Sequence, residues 1–289
     1  MRIVQKGTGD VRPLLVCYFV SMELDDPIRL QVTPNTTIVN FTFPPNTGKY
    51  TAIGAHNPRL ADLMLQLADE LQCDGFGPTV LLGFSEGCGG LRTQLLANQK
   101  PWAIIAIDGI HSSQPPADWQ IDPWRKWAYA CGATLGPDGL GKEPVKGKPF
   151  LRVTFSQIQP PTYRSVRQTM EQVCAWGAMP PRESYPKGDP MWPGVPEIYR
   201  SGNFELWSWP GNDAAAHVYQ AVAILPGEVW QIANKLGFAA GGTGPVDTKP
   251  PVELPVVTYP KAPSGKVRIA IAAVPVAATI GATIWSVYK

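Results

Sequence analysis

The sequence predicts an α/β fold, a three-layer sandwich in which a mostly parallel central sheet lies between two layers of helices. Six apolar segments have the length of β-strands and are hydrophobic on both faces, as the strands of a covered parallel sheet are. Segments with helical spacing lie between them, and strands that alternate with helices are joined by right-handed crossovers. The predicted strands are residues 14–20, 37–43, 79–84, 103–107, 150–155 and 204–209.

Four segments between or after these strands carry apolar residues at helical spacing. In the first of them, Asn57 is expected to cap the helix and Pro58 to occupy its first position, where a backbone N–H would have no partner within the helix. The predicted helices are residues 57–71, 87–99, 162–176 and 226–238.

Two long segments interrupt the alternation, residues 112–148 and 177–202. Both are rich in Pro, Gly and Trp, and each is too long for a simple connection between two elements. Because long loops on a rigid scaffold often carry binding residues, we expect them to form the walls or the lid of a binding site. The tryptophans expected to line it are Trp119, Trp124, Trp127 and Trp192.

The chain is predicted to contain one main domain, residues 1–238. Its N-terminal apolar stretch is interpreted as a buried strand rather than a signal sequence, because acidic residues follow it instead of a small-residue cleavage site. Residues 239–266 have the Pro- and Gly-rich composition of a linker. Residues 267–289 are predicted to form a hydrophobic helix, because the uncharged residues 269–288 within this segment would span about 30 Å as a helix, the thickness of a bilayer core.

This C-terminal helix is expected to anchor the protein to a membrane. Lys261, Lys266 and Arg268 precede the uncharged segment and only Lys289 follows it, so the main domain is expected on the cytoplasmic side. The alternative is a helix packed within a larger protein assembly, such as a virion. The many alanines make the segment only moderately hydrophobic, and Pro275 interrupts its backbone hydrogen bonding. Gly281 with its small neighbours would suit close packing against protein as well as lipid.

Composition and charge narrow the classes of partner. The 289 residues carry a formal net charge of only +2, and no run of Lys and Arg could neutralise a row of phosphates, so no nucleic-acid partner is expected. The five cysteines lack the C-x-x-C spacing of a metal site, and their odd number argues against a disulfide framework. Neither a metal nor an organic cofactor is predicted.

The strongest motif is the sequence GFSEG at residues 83–87, which matches G-x-S-x-G and lies between a predicted strand and a predicted helix. This is the context of a nucleophile elbow, where the serine occupies a strained turn and the glycines are required because a Cβ would collide with the neighbouring strand or helix. Ser85 is therefore the predicted nucleophile, with its hydroxyl at the carboxyl end of the sheet. An ordinary strand-to-helix turn is the alternative.

A serine hydroxyl needs a base to remove its proton. The chain has three histidines: His56, His111 and His217. His217 is the predicted base, because it follows the last predicted strand and a turn containing Gly, Asn and Asp, and precedes the last predicted helix. The alternative is a histidine in a surface loop.

The third member of a triad is a carboxylate that orients the histidine. Its usual place is the loop after the strand that begins at Phe150, but the sequence there contains no acid. Asp108 closes the preceding strand directly after an apolar run, where an unpaired charge would be costly. Asp108 is therefore the predicted acid, and Asp213 is the alternative.

An oxyanion hole needs two backbone N–H donors directed at the developing charge. One is expected from Glu86, the residue after the nucleophile. The other is expected from the loop after the first predicted strand, where Met22 is the assigned donor and Ser21 its neighbour. The side chain of Glu86 is expected to face away from the site, at a helix N-terminus that favours a negative charge.

With these residues, the chain resembles the α/β-hydrolase superfamily, in particular compact members such as cutinase-like and phage lysin-type esterases. The resemblance covers roughly residues 11–238 and depends on the GFSEG motif, the order Ser85, Asp108, His217, and the strand–helix alternation around them. It implies a serine hydrolase that forms an acyl-enzyme and releases it with water, without a metal or a cofactor. The substrate is not implied, since one fold hosts many activities.

Three functions are consistent with this resemblance. The one expected is hydrolysis of a carboxylic ester in a small molecule, a lipid or a cell-envelope component. The second is a peptidase or amidase that uses the same triad. The third is a catalytically silent, hydrolase-like domain with a structural or anchoring role.

Overall fold

The computed structural model describes residues 1–20, 24–44, 47–175 and 196–241. Eight strands form one sheet. They are β1 (Arg2–Gln5), β2 (Val11–Val20), β3 (Thr37–Phe43), β4 (Gly75–Phe84), β5 (Ala103–Ile107), β6 (Phe150–Phe155), β7 (Glu197–Ser201) and β8 (Phe204–Ser208). Seven α-helices accompany them: α1 (Asp25–Arg29), α2 (Leu60–Leu71), α3 (Cys88–Leu96), α4 (Asp118–Ala130), α5 (Val166–Cys174), α6 (Ala214–Tyr219) and α7 (Leu225–Lys235).

The strand order across the sheet is β1-β3-β2-β4-β5-β6-β8-β7. The six inner strands are parallel, and β1 and β7 pair antiparallel at the two edges. One face of the sheet is covered by α2, α3, α4 and α5, and the other is covered by α1 and α7. The predicted α/β fold with a mostly parallel sheet between helices is thus confirmed.

The inner strands form where the sequence is apolar on both faces. In β4, Leu81 faces the core beneath α3, whereas Val80 and Leu82 face the core beneath α7. Burial on both sides removes any polar alternation from these strands. The observed strands Thr37–Phe43, Ala103–Ile107 and Phe150–Phe155 have the predicted bounds.

Both edge strands were missed from the sequence. Arg2–Gln5 and Glu197–Ser201 are short, and most of their side chains are exposed or half-buried. Each also pairs on one side only with a named strand. Edge strands carry charged side chains and lack the continuous apolar run of an inner strand. The sequence pattern therefore does not indicate them.

The prediction that residues 112–148 form a long loop was wrong in part, because this segment contains α4. Pro123 lies inside the helix and is buried, which explains why the sequence pattern did not suggest a helix. Trp124 and Trp127 anchor α4 in the core, whereas Trp119 is 52% exposed. Trp192 lies outside the described residues.

The predicted start of α2 was also wrong, since the helix begins at Leu60 and Arg59 precedes it. Asn57 is buried and its side chain accepts a hydrogen bond from Gln94 instead. The oxygen of the Gln94 amide accepts the N–H of Leu60 at 2.9 Å, so a glutamine of α3 caps α2 from a distance. Sequence spacing does not reveal a cap of this kind.

The predicted C-terminal linker from residue 242 onward and the predicted hydrophobic helix, residues 267–289, lie outside the described residues. None of the helices that the structure describes is long and apolar enough to cross a bilayer.

Candidate active site

Ser85 lies on a sharp turn between β4 and α3. Its backbone has a φ of +54°, a left-handed conformation that is strained for any residue with a Cβ. A Cβ added to Gly83 would lie 2.9 Å from Leu91 of α3, and one added to Gly87 would lie 2.1 Å from the carbonyl oxygen of Tyr18 in β2. Gly87 is therefore required sterically, because the neighbouring atom belongs to the backbone, whereas a side chain at Gly83 would force Leu91 to shift.

The side chain of His217 connects Ser85 to Asp108. Its Nε2 lies 3.0 Å from Ser85 Oγ, and its Nδ1 lies 2.9 Å from Asp108 Oδ2. Since a carboxylate only accepts, Nδ1 carries the proton, and Nε2 is left to accept the hydroxyl proton of Ser85. The imidazole ring lies against Phe84, with 4.7 Å between ring centroids, which limits its rotation.

Asp108 follows the last residue of β5 at the carboxyl edge of the sheet, and only 3% of its surface is exposed. Ser156 binds both of its oxygens: the backbone N–H donates to Oδ1 at 3.0 Å and the hydroxyl donates to Oδ2 at 2.6 Å. Burial alone would raise the pKa of Asp108, but the bond to His217 and the two bonds from Ser156 together lower it. The carboxylate is thus ionised at neutral pH and oriented by three donors.

The alternative acid, Asp213, has a different position. Its side chain caps α6 by accepting the N–H of Ala216 at 2.8 Å. His217 lies within this helix rather than in a loop before the last helix, which corrects the interpretation of that segment. By capping the first turn of α6, Asp213 sets the position of His217 on this helix.

The other two histidines do not contact Ser85. His56 is exposed and packs its ring edge against Phe43. His111 follows β5 and its Nδ1 lies 3.3 Å from the carbonyl oxygen of Arg164, so the ring donates there. Burial lowers the pKa of His111 to about 4, and the nearby charges of Asp108 and His217 act on it with opposite signs. His111 is therefore neutral at physiological pH.

The predicted oxyanion hole is only partly described. Glu86 lies in the short helical turn Ser85–Gly87, directly after Ser85, whereas Met22 lies outside the described residues. The loop after β5 packs closely on the elbow, because a Cβ on Gly109 would lie 1.9 Å from the carbonyl oxygen of Ser85.

The predicted tryptophan wall does not surround Ser85 in the described residues. Trp124 and Trp127 are buried between α4 and the sheet. Trp127 and Trp102 also border a cavity of about 490 Å³, but this cavity lies at the amino ends of β5 and β6, the sheet edge opposite to Asp108. We attribute no catalytic role to it.

Sequence reasoning missed Ser156. The loop after β6 was noted only because it lacks an acid, yet its first residue supplies two of the three hydrogen bonds that Asp108 accepts. The available signal was the position of Ser156 directly after Phe155, the last residue of β6. Because parallel strands end at one edge, that position lies beside Asp108 on the neighbouring strand.

Ser85, Asp108 and His217 occur in the chain order of an α/β-hydrolase-like fold, with the serine on a strand–turn–helix elbow. No protein-family profile and no curated protein matches the chain. Among solved structures, the type II thioesterase BorB from the borrelidin biosynthetic cluster aligns at 13% identity over 81% of this chain and 95% of that chain, with a TM-score of 0.39.

Two further structures align at a similar level. They are YbtT, a type II thioesterase of the yersiniabactin biosynthetic pathway (13% identity, 80% of this chain and 96% of that chain, TM-score 0.32), and TT1662 from Thermus thermophilus (12% identity, 80% and 98%, TM-score 0.35). Structural similarities at this level of identity and TM-score give no information about activity or substrate.

Proposed function

We propose that the protein is a serine hydrolase that cleaves carboxylic esters through an acyl-enzyme on Ser85. The observation that carries the proposal is the continuous chain of hydrogen bonds from Ser85 Oγ through both ring nitrogens of His217 to the buried carboxylate of Asp108. A strained backbone at the serine and a desolvated acid add to it, because both are costly features that concentrate at functional sites.

The reaction proceeds in two halves. Ser85 Oγ attacks the ester carbonyl carbon while Nε2 of His217 takes the hydroxyl proton, and the charge of Asp108 stabilises the imidazolium that forms. When the tetrahedral intermediate collapses, the C–O bond breaks and the alcohol leaves with the proton from Nε2. Water then loses a proton to Nε2 and attacks the acyl-enzyme, which releases the carboxylic acid and restores Ser85. The N–H of Glu86 is assigned to the oxyanion.

The test is hydrolysis of activated esters by the full-length protein and by Ser85→Ala, together with Gln66→Ala on the exposed face of α2 as a surface control variant. A loss of at least about 10³-fold in Ser85→Ala is expected, the size measured when a triad member is removed. Activity within about tenfold of the parent protein would contradict the proposal. A thioester and a peptide bond on the same acyl group, added to the panel, distinguish ester, thioester and amide hydrolysis.

The place of action is proposed from the sequence alone. The uncharged segment at residues 269–288 supports attachment to a membrane, with the catalytic domain on the cytoplasmic side. Full-length protein is expected to fractionate with membranes, to resist high salt and to be released by detergent. Full-length protein that remains monomeric without detergent would contradict the anchor, and the segment would then pack against protein.

A further inference from the structure

Arg92 is a cation of α3, one helical turn after Cys88. Its guanidinium lies over the ring of Trp119 at 4.6 Å from the centroid. Nη1 of Arg92 donates a long hydrogen bond, 3.4 Å, to the carbonyl oxygen of His111. Arg92 is half-buried and Trp119 is 52% exposed, so the pair lies at the surface with the ring open to solvent.

No carboxylate pairs with Arg92 among the residues that the structure describes. Arg125 on the neighbouring helix α4 shows the usual arrangement, since it pairs with Asp122 at 3.1 Å and donates to two backbone carbonyls. Burial lowers the pKa of Arg92, and the opposing contribution among the described residues comes from Cys88 rather than from a carboxylate. Among the described residues no carboxylate offsets this partly desolvated cation, and only one of its five N–H groups donates a hydrogen bond, so the others are available to a further partner.

The position of this pair connects it to the candidate active site. The carbonyl that Arg92 contacts belongs to His111, which lies three residues after Asp108 on the loop that follows β5. The same loop packs on the elbow, where Gly109 approaches the carbonyl oxygen of Ser85. The charges of Asp108 and His217 both act on His111. Arg92 and Trp119 are thus separated from the triad by a single loop.

We propose that Arg92, held over Trp119 beside the loop that carries Asp108, binds an anionic group of the substrate, a carboxylate or a phosphate. The proposal rests on the proposed hydrolase function of Ser85. A planar guanidinium offers paired donors that match either anion, and stacking on an aromatic ring fixes its orientation. The exposed face of Trp119 would contact the apolar part of the substrate next to the anion.

The first test compares two chromogenic esters of equal length, nitrophenyl hexanoate and the mono-nitrophenyl ester of adipic acid, which carries a carboxylate at its far end. A third ester with a terminal phosphonate distinguishes a phosphate site from a carboxylate site. Arg92→Gln is expected to lower kcat/KM for an anionic ester about tenfold more than for the neutral ester, the effect of losing one charge-assisted hydrogen bond. Arg92→Lys should restore part of this preference, and added salt should weaken it.

Arg29→Gln is the matched control, because it removes the same charge from an exposed pair on α1. It is expected to change the rates for neutral and anionic esters by equal factors. Equal factors in Arg92→Gln as well would overturn the proposal.

A second test does not depend on hydrolysis. Monomethyl adipate and dimethyl adipate are titrated calorimetrically into Ser85→Ala and into Ser85→Ala with Arg92→Gln. Tighter binding of the anionic ligand that is lost with Arg92 supports the anion site even if Ser85 proves inert, in which case the hydrolase function alone fails. Equal binding of the two ligands, or no binding of either, overturns the anion site.

Discussion

Two buried carboxylates, Asp108 at the end of β5 and Glu205 within β8, have opposite surroundings. Glu205 is fully buried, and fixed cations surround it. Nε and Nη2 of Arg152 lie 3.1 and 2.6 Å from one oxygen, and Nε of Arg200 lies 2.8 Å from the other. Among the described residues, the carboxylate of Asp108 accepts hydrogen bonds from Ser156 and His217 and pairs with no arginine or lysine.

This difference separates Glu205, a carboxylate that stabilises the fold, from Asp108, the carboxylate proposed to take part in catalysis. Arg152 also pairs with Glu228 of α7. The cluster of Arg152, Glu205 and Glu228 therefore ties β6, β8 and α7 together. The hydrogen bonds of these three side chains do not lead to a candidate nucleophile. The bonds around Asp108 lead through a titratable ring to the hydroxyl of Ser85. A buried carboxylate with a histidine partner and a nucleophile beyond it is the one that can support proton transfer.

The largest effect on activity is expected at the acid. Asp108→Asn should lower kcat by about 10⁴-fold, because an amide stabilises the wrong tautomer of His217 and no longer the imidazolium. Asp213→Asn is the control, since an asparagine caps α6 nearly as well and a small loss is expected. Steady-state kinetics on an activated ester measure both. The reverse ranking would move the acid to Asp213, and two small losses would indicate a Ser–His dyad.

Substitutions in the cluster around Arg152 should lower the stability of the fold rather than the activity. Arg152→Met removes the arginine that pairs with the buried carboxylate of Glu228. Because one partner of a buried ion pair is then missing, the free energy of unfolding is expected to fall by about 3–5 kcal/mol. The activity of the folded fraction should remain close to that of the parent protein. Chemical denaturation with a parallel ester assay measures both quantities. A large loss of kcat with unchanged stability would contradict the interpretation that Glu205 is structural and Asp108 catalytic.

The same cluster predicts an acid dependence of stability. Burial would raise the pKa of Glu205, but the charges of Arg152, Lys235 and Arg200 outweigh it and lower the pKa to about 2. Since an unfolded glutamate has a pKa of about 4.3, the contribution of Glu205 is full above that value and is lost as the pH falls toward its folded pKa. Glu205→Gln should therefore flatten the decline in unfolding free energy across this acid range. An unchanged slope would show that Glu205 gains little from its partners.

The smallest effect is expected at Ser156. Ser156→Ala removes the hydroxyl bond to Asp108 Oδ2 and keeps the backbone bond to Oδ1. A loss of about tenfold in kcat is expected, the size of one hydrogen bond to a charged group. Ser156→Thr, which retains a hydroxyl, should recover part of it in the same assay. A loss that matches Asp108→Asn would mean that Ser156 alone holds the acid in place.

The fold could be predicted where the sequence carries a local signal. Strand β5, for example, is apolar at every position and buried at every position. The edge strands could not be predicted in this way, because most of their side chains are exposed or half-buried and they lack a continuous apolar run. Helix α4 was missed because Pro123 interrupts its sequence pattern. The N-terminus of α2 shows the same limit, since its cap is Gln94 of another helix.

The candidate site followed the same rule. Ser85 could be assigned from its motif, and Asp108 and His217 from their places after strands. The partners of Glu205 and the contact of Arg92 with Trp119 could not, because they join elements that meet only in the folded protein. Ser156 was missed although its position directly after β6 was a signal for it.

The proposed hydrolase function depends most on Ser85 being a nucleophile that His217 activates. A fluorophosphonate probe tests this directly, because it reacts with an activated serine and marks the peptide that carries it. The full-length protein is expected to add one probe per chain, on the peptide that contains Ser85, and His217→Gln should slow the reaction by at least about 10³-fold. No labelling of Ser85, or labelling at the same rate in His217→Gln, would contradict the account.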